Sequence, residues 1–197
     1  MPLSFRPFGF RFVKNLSGSH GNETNVYPLP NGAACPDLAK GSPVAMNGGV
    51  LTSVGGGTAP VLGVCTGFFW VDPTTKQPQE RSWIPADVSS AGTYNGLSQP
   101  GAYVVDNPDA VYMVQADGSV SAGDVGLNFR VTASSGDVDT VYGVSRYTLQ
   151  ASTRTSAVTG AVKLVGLAAI PDNAWNDPFP VVLVKVNRSI LTETSAF

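Results

Sequence analysis

From Tyr27 onward the chain reads as short apolar runs separated by turn residues. Pro43-Val44-Ala45-Met46 leads into Asn47-Gly48-Gly49 and then Val50-Leu51-Thr52-Ser53-Val54. Asn-Gly between apolar runs predicts a hairpin, because both turn positions want positive φ. Ala59 to Val71 is a long apolar run broken by Gly63 and Gly67, which predicts a bulge or a close backbone approach. Strands are predicted at Gln79–Ile84, Ala102–Asp106 and Ala110–Gln115. Asp117-Gly118 predicts a second hairpin before Ser119-Val120-Ser121. Further strands are expected at Val125–Val131, Thr140–Leu149, Ala161–Ile170 and Pro180–Val186. The last run, Val-Val-Leu-Val-Lys-Val, is β-branched and reads as a buried strand. No helix of ten residues is evident; a short turn fits near Ala34–Lys40. The expectation is an all-β fold, a sandwich or barrel of about ten short strands.

Residues 1–26 break this pattern and predict an extended basic and aromatic arm ahead of a single β-rich domain, 27–197. Phe5, Phe8, Phe10 and Phe12 interleave with Arg6, Arg11 and Lys14, and no acid precedes Glu23. Four phenylalanines in water would forgo roughly 2 kcal/mol each of burial, so an arm that docks on another surface is expected. Phe5, Arg6, Phe8, Phe10, Arg11, Phe12 and Lys14 are the candidate contacts. Deletion of residues 1–22 is expected to leave the β-domain folded.

Composition sharpens the functional side. Of 197 residues, 43% are hydrophobic and only 13% charged, against a usual share near 25% for charged groups. With 22 Gly and 15 Pro the chain is too turn-rich for a helical bundle and too apolar for disorder. So little charge suits a surface covered by other chains. The net charge of −2 argues against a globally basic nucleic-acid binder. The N-terminal segment lacks a signal-peptide apolar core, and no run is long enough to span a membrane. Synthesis in a cytoplasm is expected, with Cys35 and Cys65 as small buried hydrophobes.

Candidate catalytic chemistry is thin. The single histidine, His20, lies in the arm beside Ser17 and Ser19, where nothing would hold a base rigidly. One His and two Cys fall short of a structural zinc set. Asp106, Asp109, Asp117, Asp124, Asp137 and Asp139 cluster in one stretch, mostly in turn contexts. Asp137 and Asp139 could share a strand face, the residual case for a hydrolase. Trp70, Trp83 and Trp175 could stack sugars in a binding module, although core or interface is their ordinary role. No catalytic residue, cofactor or metal is assigned.

The order of motifs adds a resemblance. Phe8-Gly9-Phe10-Arg11-Phe12-Val13 is followed by Leu16-Ser17-Gly18-Ser19, Tyr27-Pro28-Leu29-Pro30 and Lys40-Gly41-Ser42-Pro43-Val44. Then come Val61-Leu62-Gly63-Val64-Cys65-Thr66-Gly67-Phe68, Ala102-Tyr103-Val104-Val105-Asp106-Asn107-Pro108, Val111-Tyr112-Met113-Val114-Gln115 and Asp124-Val125-Gly126-Leu127-Asn128. In this order and spacing, from about Phe8 to Asn187, the chain resembles the capsid decoration (cement) proteins of tailed bacteriophages. Where that family often has Asp in the Gly-x-Pro-Val element, this chain has Ser42. The resemblance implies a non-enzymatic homotrimer on the outer surface of an icosahedral virion, holding neighbouring major capsid proteins together. It implies no direct nucleic-acid or membrane contact. The alternative is a glycan- or receptor-binding β module of a head fibre or tail.

Overall fold

The computed structural model describes residues 4–17, 23–54, 60–187 and 189–191. The strands, in chain order, are β1 (Arg11–Asn15), β2 (Asn25–Pro28), β3 (Leu38–Ala39), β4 (Pro43–Asn47), β5 (Val50–Ser53), β6 (Gly63–Val71) and β7 (Pro78–Arg81). They continue with β8 (Trp83–Ile84), β9 (Gly101–Val105), β10 (Ala110–Gln115), β11 (Asn128–Asp139), β12 (Val144–Thr155), β13 (Val162–Leu167) and β14 (Val181–Val186). The protein is all-β, with 3-10 turns at Gly32–Ala34 and Ala122–Asp124. There are more strands than the sequence suggests: β1 and the start of β2 lie in the residues read as an arm, β3 is only two residues long, and the run expected at Gln79–Ile84 divides into β7 and β8.

Two six-stranded antiparallel sheets carry the fold. The larger runs β1-β10-β14-β13-β11-β12. The smaller runs β2-β9-β6-β4-β5, with β7 added beside β6. Both sheets curl. Ala116 bridges Leu149 in parallel, and the Asp117 N–H donates to the Leu149 carbonyl at 3.0 Å, so β12 returns to the end of β10. In the smaller sheet β2 comes close to β5. The architecture lies between the barrel and the sandwich that the strand pattern allowed.

The buried residues form two clusters, and the larger takes Ala45, Val64 and Val105 from the smaller sheet as well as the inner face of the large one. Tyr112, Phe129, Leu149, Leu164 and Val184 belong to the larger cluster. Leu29, Leu38, Phe68, Ile84 and Val104 belong to the smaller one, and Ile190 packs on both. Cys35 and Cys65 are free, buried thiols of the smaller core. Burial pushes the Cys35 thiol up to about 11 and raises Cys65 as well, so both stay protonated at neutral pH.

The glycines of β6 do what their position predicts. A Cβ on Gly63 would collide with the Val105 carbonyl oxygen, so the strands meet there because no side chain intervenes. The register of β6 against β9 slips between Cys65 and Gly67, a β-bulge. The first predicted hairpin is present, one residue later than expected. Asn47 pairs with Val50, and Gly48 (φ 57) and Gly49 (φ 83) are the two turn residues. Two glycines accept positive φ more readily than Asn followed by Gly.

The second predicted hairpin does not form. After Asp117 the chain does not return along β10. The Asp117 N–H is taken by Leu149, and its carboxylate accepts the Ala151 N–H at 2.8 Å. Ser121 and Asp124 then form a capping box on the 3-10 turn. Accordingly the strand expected at Val125–Val131 starts at Asn128, and that expected at Thr140–Leu149 starts at Val144 after a tight turn.

Candidate interaction surface

The arm lies against its own domain. Arg11–Asn15 is the outer strand of the large sheet, and Asn25–Pro28 pairs with β9 in the other. Phe10 is 3% exposed and sits edge-on to Tyr112, with ring centroids 6.1 Å apart. Phe12, half-buried, approaches the same tyrosine at 6.3 Å. These two phenylalanines therefore serve the chain's own core, which removes Phe10 as a contact for another molecule. Gly9 (φ +71) makes the turn that admits Phe10; a Cβ there would lie 2.6 Å from that of Ser145.

The other arm candidates face outward. Phe5 is 37% exposed, its ring 5.0 Å from that of Phe179. The Arg11 guanidinium lies over the Phe8 ring at 4.6 Å, a cation–π contact. Lys14 is exposed on β1. A buried amide holds the start of the arm. Gln115, at the end of β10, accepts the Arg6 N–H at 2.8 Å and donates to the Ser4 carbonyl at 2.9 Å and the Phe179 carbonyl at 3.3 Å. No periodicity marks that role, because the partners lie 109 to 111 residues away.

Beside the arm, the β11–β12 turn projects Val141 (82% exposed) and Tyr142 (77%). Asp139 makes this turn rigid. Its Oδ1 accepts the N–H groups of Val141 and Tyr142 at 3.0 and 3.2 Å, and its Oδ2 pairs with Arg146 at 3.0 Å. The Arg146 hydrogen bond leads these interactions in holding the Asp139 carboxyl below its ordinary pKa. Phe5, Arg6, Pro7, Tyr142, Val144 and Arg146 line an open hollow of about 520 Å³ between arm and turn. Sequence reading took residues 140–143 for strand, and so missed these two exposed apolar side chains.

Asp72, Asp139 and Asp177 hold turns, whereas Asp37 and Asp137 are half-buried with raised carboxyl pKa values. Asp139 is committed to its turn and to Arg146. Burial raises the carboxyl of Asp137, and burial with the nearby Asp137 charge raises that of Asp37. Asp37 Oδ1 is buried with no hydrogen-bond partner among the described residues. Asp72 accepts the Thr74 and Thr75 N–H groups, and Asp177 that of Ala174, each closing a turn. His20 lies outside the described residues. Trp70 is buried and Trp175 packs on the large core, so neither offers a flat platform to a sugar. A polar aromatic patch does exist elsewhere. Glu80 Oε1 accepts the hydroxyls of Tyr103 at 2.8 Å and Tyr94 at 3.1 Å, and Asn95 donates to Tyr103. Burial, then the Glu80 hydrogen bond, pushes the Tyr103 phenol up to about 12.

Neither a family model, nor a curated protein, nor a solved structure matches the chain.

Proposed function

We propose that the protein is a structural component of a phage virion that binds the outside of the icosahedral shell as a homotrimer and ties neighbouring major capsid proteins together. The observation that carries this reading is the presentation of apolar anchors on a rigid all-β body. Exposed Phe5 and Tyr142 line one hollow, and exposed Val141 stands next to Tyr142 on the turn fixed by Asp139. Aromatic anchors of this kind dominate interface energetics. The motif order that resembles decoration proteins supplies the identity of the partner. A trimer that engages several subunits at once turns modest contacts into strong attachment.

Light scattering after size exclusion tests the trimer. Three chains of 20.4 kDa give about 61 kDa; a mass of one chain removes the preassembled clamp. A glycan-binding module is the second reading, favoured by the Glu80–Tyr94–Tyr103–Asn95 network alone. Loss of glycan-array signal on Tyr103→Phe would support it, and an array without signal would dismiss it.

A further inference from the structure

The outward face of the large sheet carries a concentration of positive charge. The row Phe12–Tyr112–Val184–Leu164 runs across β1, β10, β14 and β13 in register and faces the core. Side chains alternate along a strand, so the adjacent row, Lys14–Val111–Lys185–Lys163, faces away. Val111 is fully buried yet belongs to neither core cluster. It sits between Lys14 and Lys185 in this row, where their aliphatic stems can cover it. On the next strand Asn128 pairs with Lys163, and exposed Arg130 follows two residues later on the same face. Arg11, opposite Met113, lies on this face too.

Arg11, Lys14, Arg130, Lys163 and Lys185 thus share one sheet face in a chain whose net charge is −2. Among the described residues Asp109 reaches the lysine row, 3.8 Å from Lys185. Lys163 and Lys185 stand directly opposite each other, an arrangement that costs stability in an isolated sheet. Both line an open hollow of about 390 Å³ with Pro108, Asp109, Asn187 and Ser189. Apolar side chains interrupt the cations: Val13 and Leu16 are exposed, Met113 and Leu183 half-buried.

We propose that this face docks an acidic patch of a partner protein, with a carboxylate of that partner entering the hollow between Lys163 and Lys185. Charge complementarity selects the partner's sign. The intervening aliphatic surface and the short row, on the order of 14 Å across four strands, fit a protein patch better than a phosphate backbone. The proposal stands without the shell reading, to which it would add a second contact whose hollow shares no lining residue with the one between arm and turn.

Fluorescence anisotropy with labelled poly-L-glutamate, about 50 residues long and at about 50 mM salt, tests it. The unmodified chain should bind, and the Lys163→Glu/Lys185→Glu variant should bind at least about tenfold more weakly. Lys76→Glu, in the turn between β6 and β7, should bind like the unmodified chain. Should the double Glu variant melt early, Lys163→Gln/Lys185→Gln is read instead, with a loss of about threefold or more expected. No binding by the unmodified chain, or equal binding by the Gln variant, overturns the proposal. So does tighter binding of duplex DNA than of polyglutamate, which would make the face a nucleic-acid site. None of these outcomes depends on attachment to a shell.

Discussion

Gln115 and Arg6 lie 109 residues apart and are joined by a hydrogen bond of 2.8 Å from the Arg6 backbone N–H to the buried side-chain amide. The same amide donates to Ser4 and Phe179, so one polar side chain in β10 fixes the direction of the arm. Removing it strands several backbone groups at once. Gln115→Ala should therefore cost about 1–3 kcal/mol. Hydrogen exchange at the Arg6 amide should accelerate, while that at Tyr112 follows only global stability. Unchanged exchange at Arg6 would show that the amide does not hold the arm.

The arm can be shortened only so far. Removal of residues 1–22 would strip Phe10 from the large core and β1 from its sheet, a loss of about 3–5 kcal/mol for the phenylalanine alone. Deletion of residues 1–8 spares both. The shorter deletion should keep a cooperative melt, and the longer should lower it sharply, both measured by circular dichroism. Equal melts would place the arm outside the folded unit.

Two glycines of the sheets should respond oppositely to the same change. Gly63→Ala would press a methyl group into the Val105 carbonyl and should lower the melting temperature steeply or leave the chain insoluble. Gly166→Ala meets nothing within 4 Å and should change stability by no more than about 0.5 kcal/mol. A tolerated Gly63→Ala would contradict the close approach of β6 and β9.

Asp37 sets a pH dependence. Burial and the charge of Asp137 raise its carboxyl pKa in the folded state above the unfolded value. The folded protein therefore holds more protons at intermediate pH, and stability falls as pH rises from the unfolded pKa through the folded one. Asp37→Asn removes the charge. It should melt higher than the unmodified chain at pH 7, by up to about 2 °C after allowance for partial exposure. The difference should vanish below about pH 3.5, where the carboxyl is protonated in both states. A variant less stable at pH 7 would show that the carboxylate is usefully paired.

Much of the fold was legible because its signals are local. The apolar run of β14, the hairpin near Asn47, though one residue later than read, and the broken run of β6 each state their structure within ten residues. Asp117-Gly118 misled because its fate is set by Leu149 and Ala151, on a strand the local sequence cannot see. The arm was half legible. Its composition announced burial of the phenylalanines, but not that Phe10 and Phe12 would find Tyr112 in their own chain. The lysine row was illegible for the same reason: Lys14, Lys163 and Lys185 meet only through register.

Val141 and Tyr142 separate stability from attachment. Both are largely exposed, so Val141→Ser/Tyr142→Ser should leave the melt within about 0.5 kcal/mol. If they anchor the protein to a shell, the same variant should lose attachment, as a hot-spot pair does.

The proposal that the chain coats a phage shell is tested most directly by sedimenting it with purified capsid shells of a tailed phage found to carry its coding sequence. The account predicts saturable co-sedimentation at three copies per threefold position, weakened by Val141→Ser/Tyr142→Ser. A folded chain that stays in the supernatant at every concentration would contradict it.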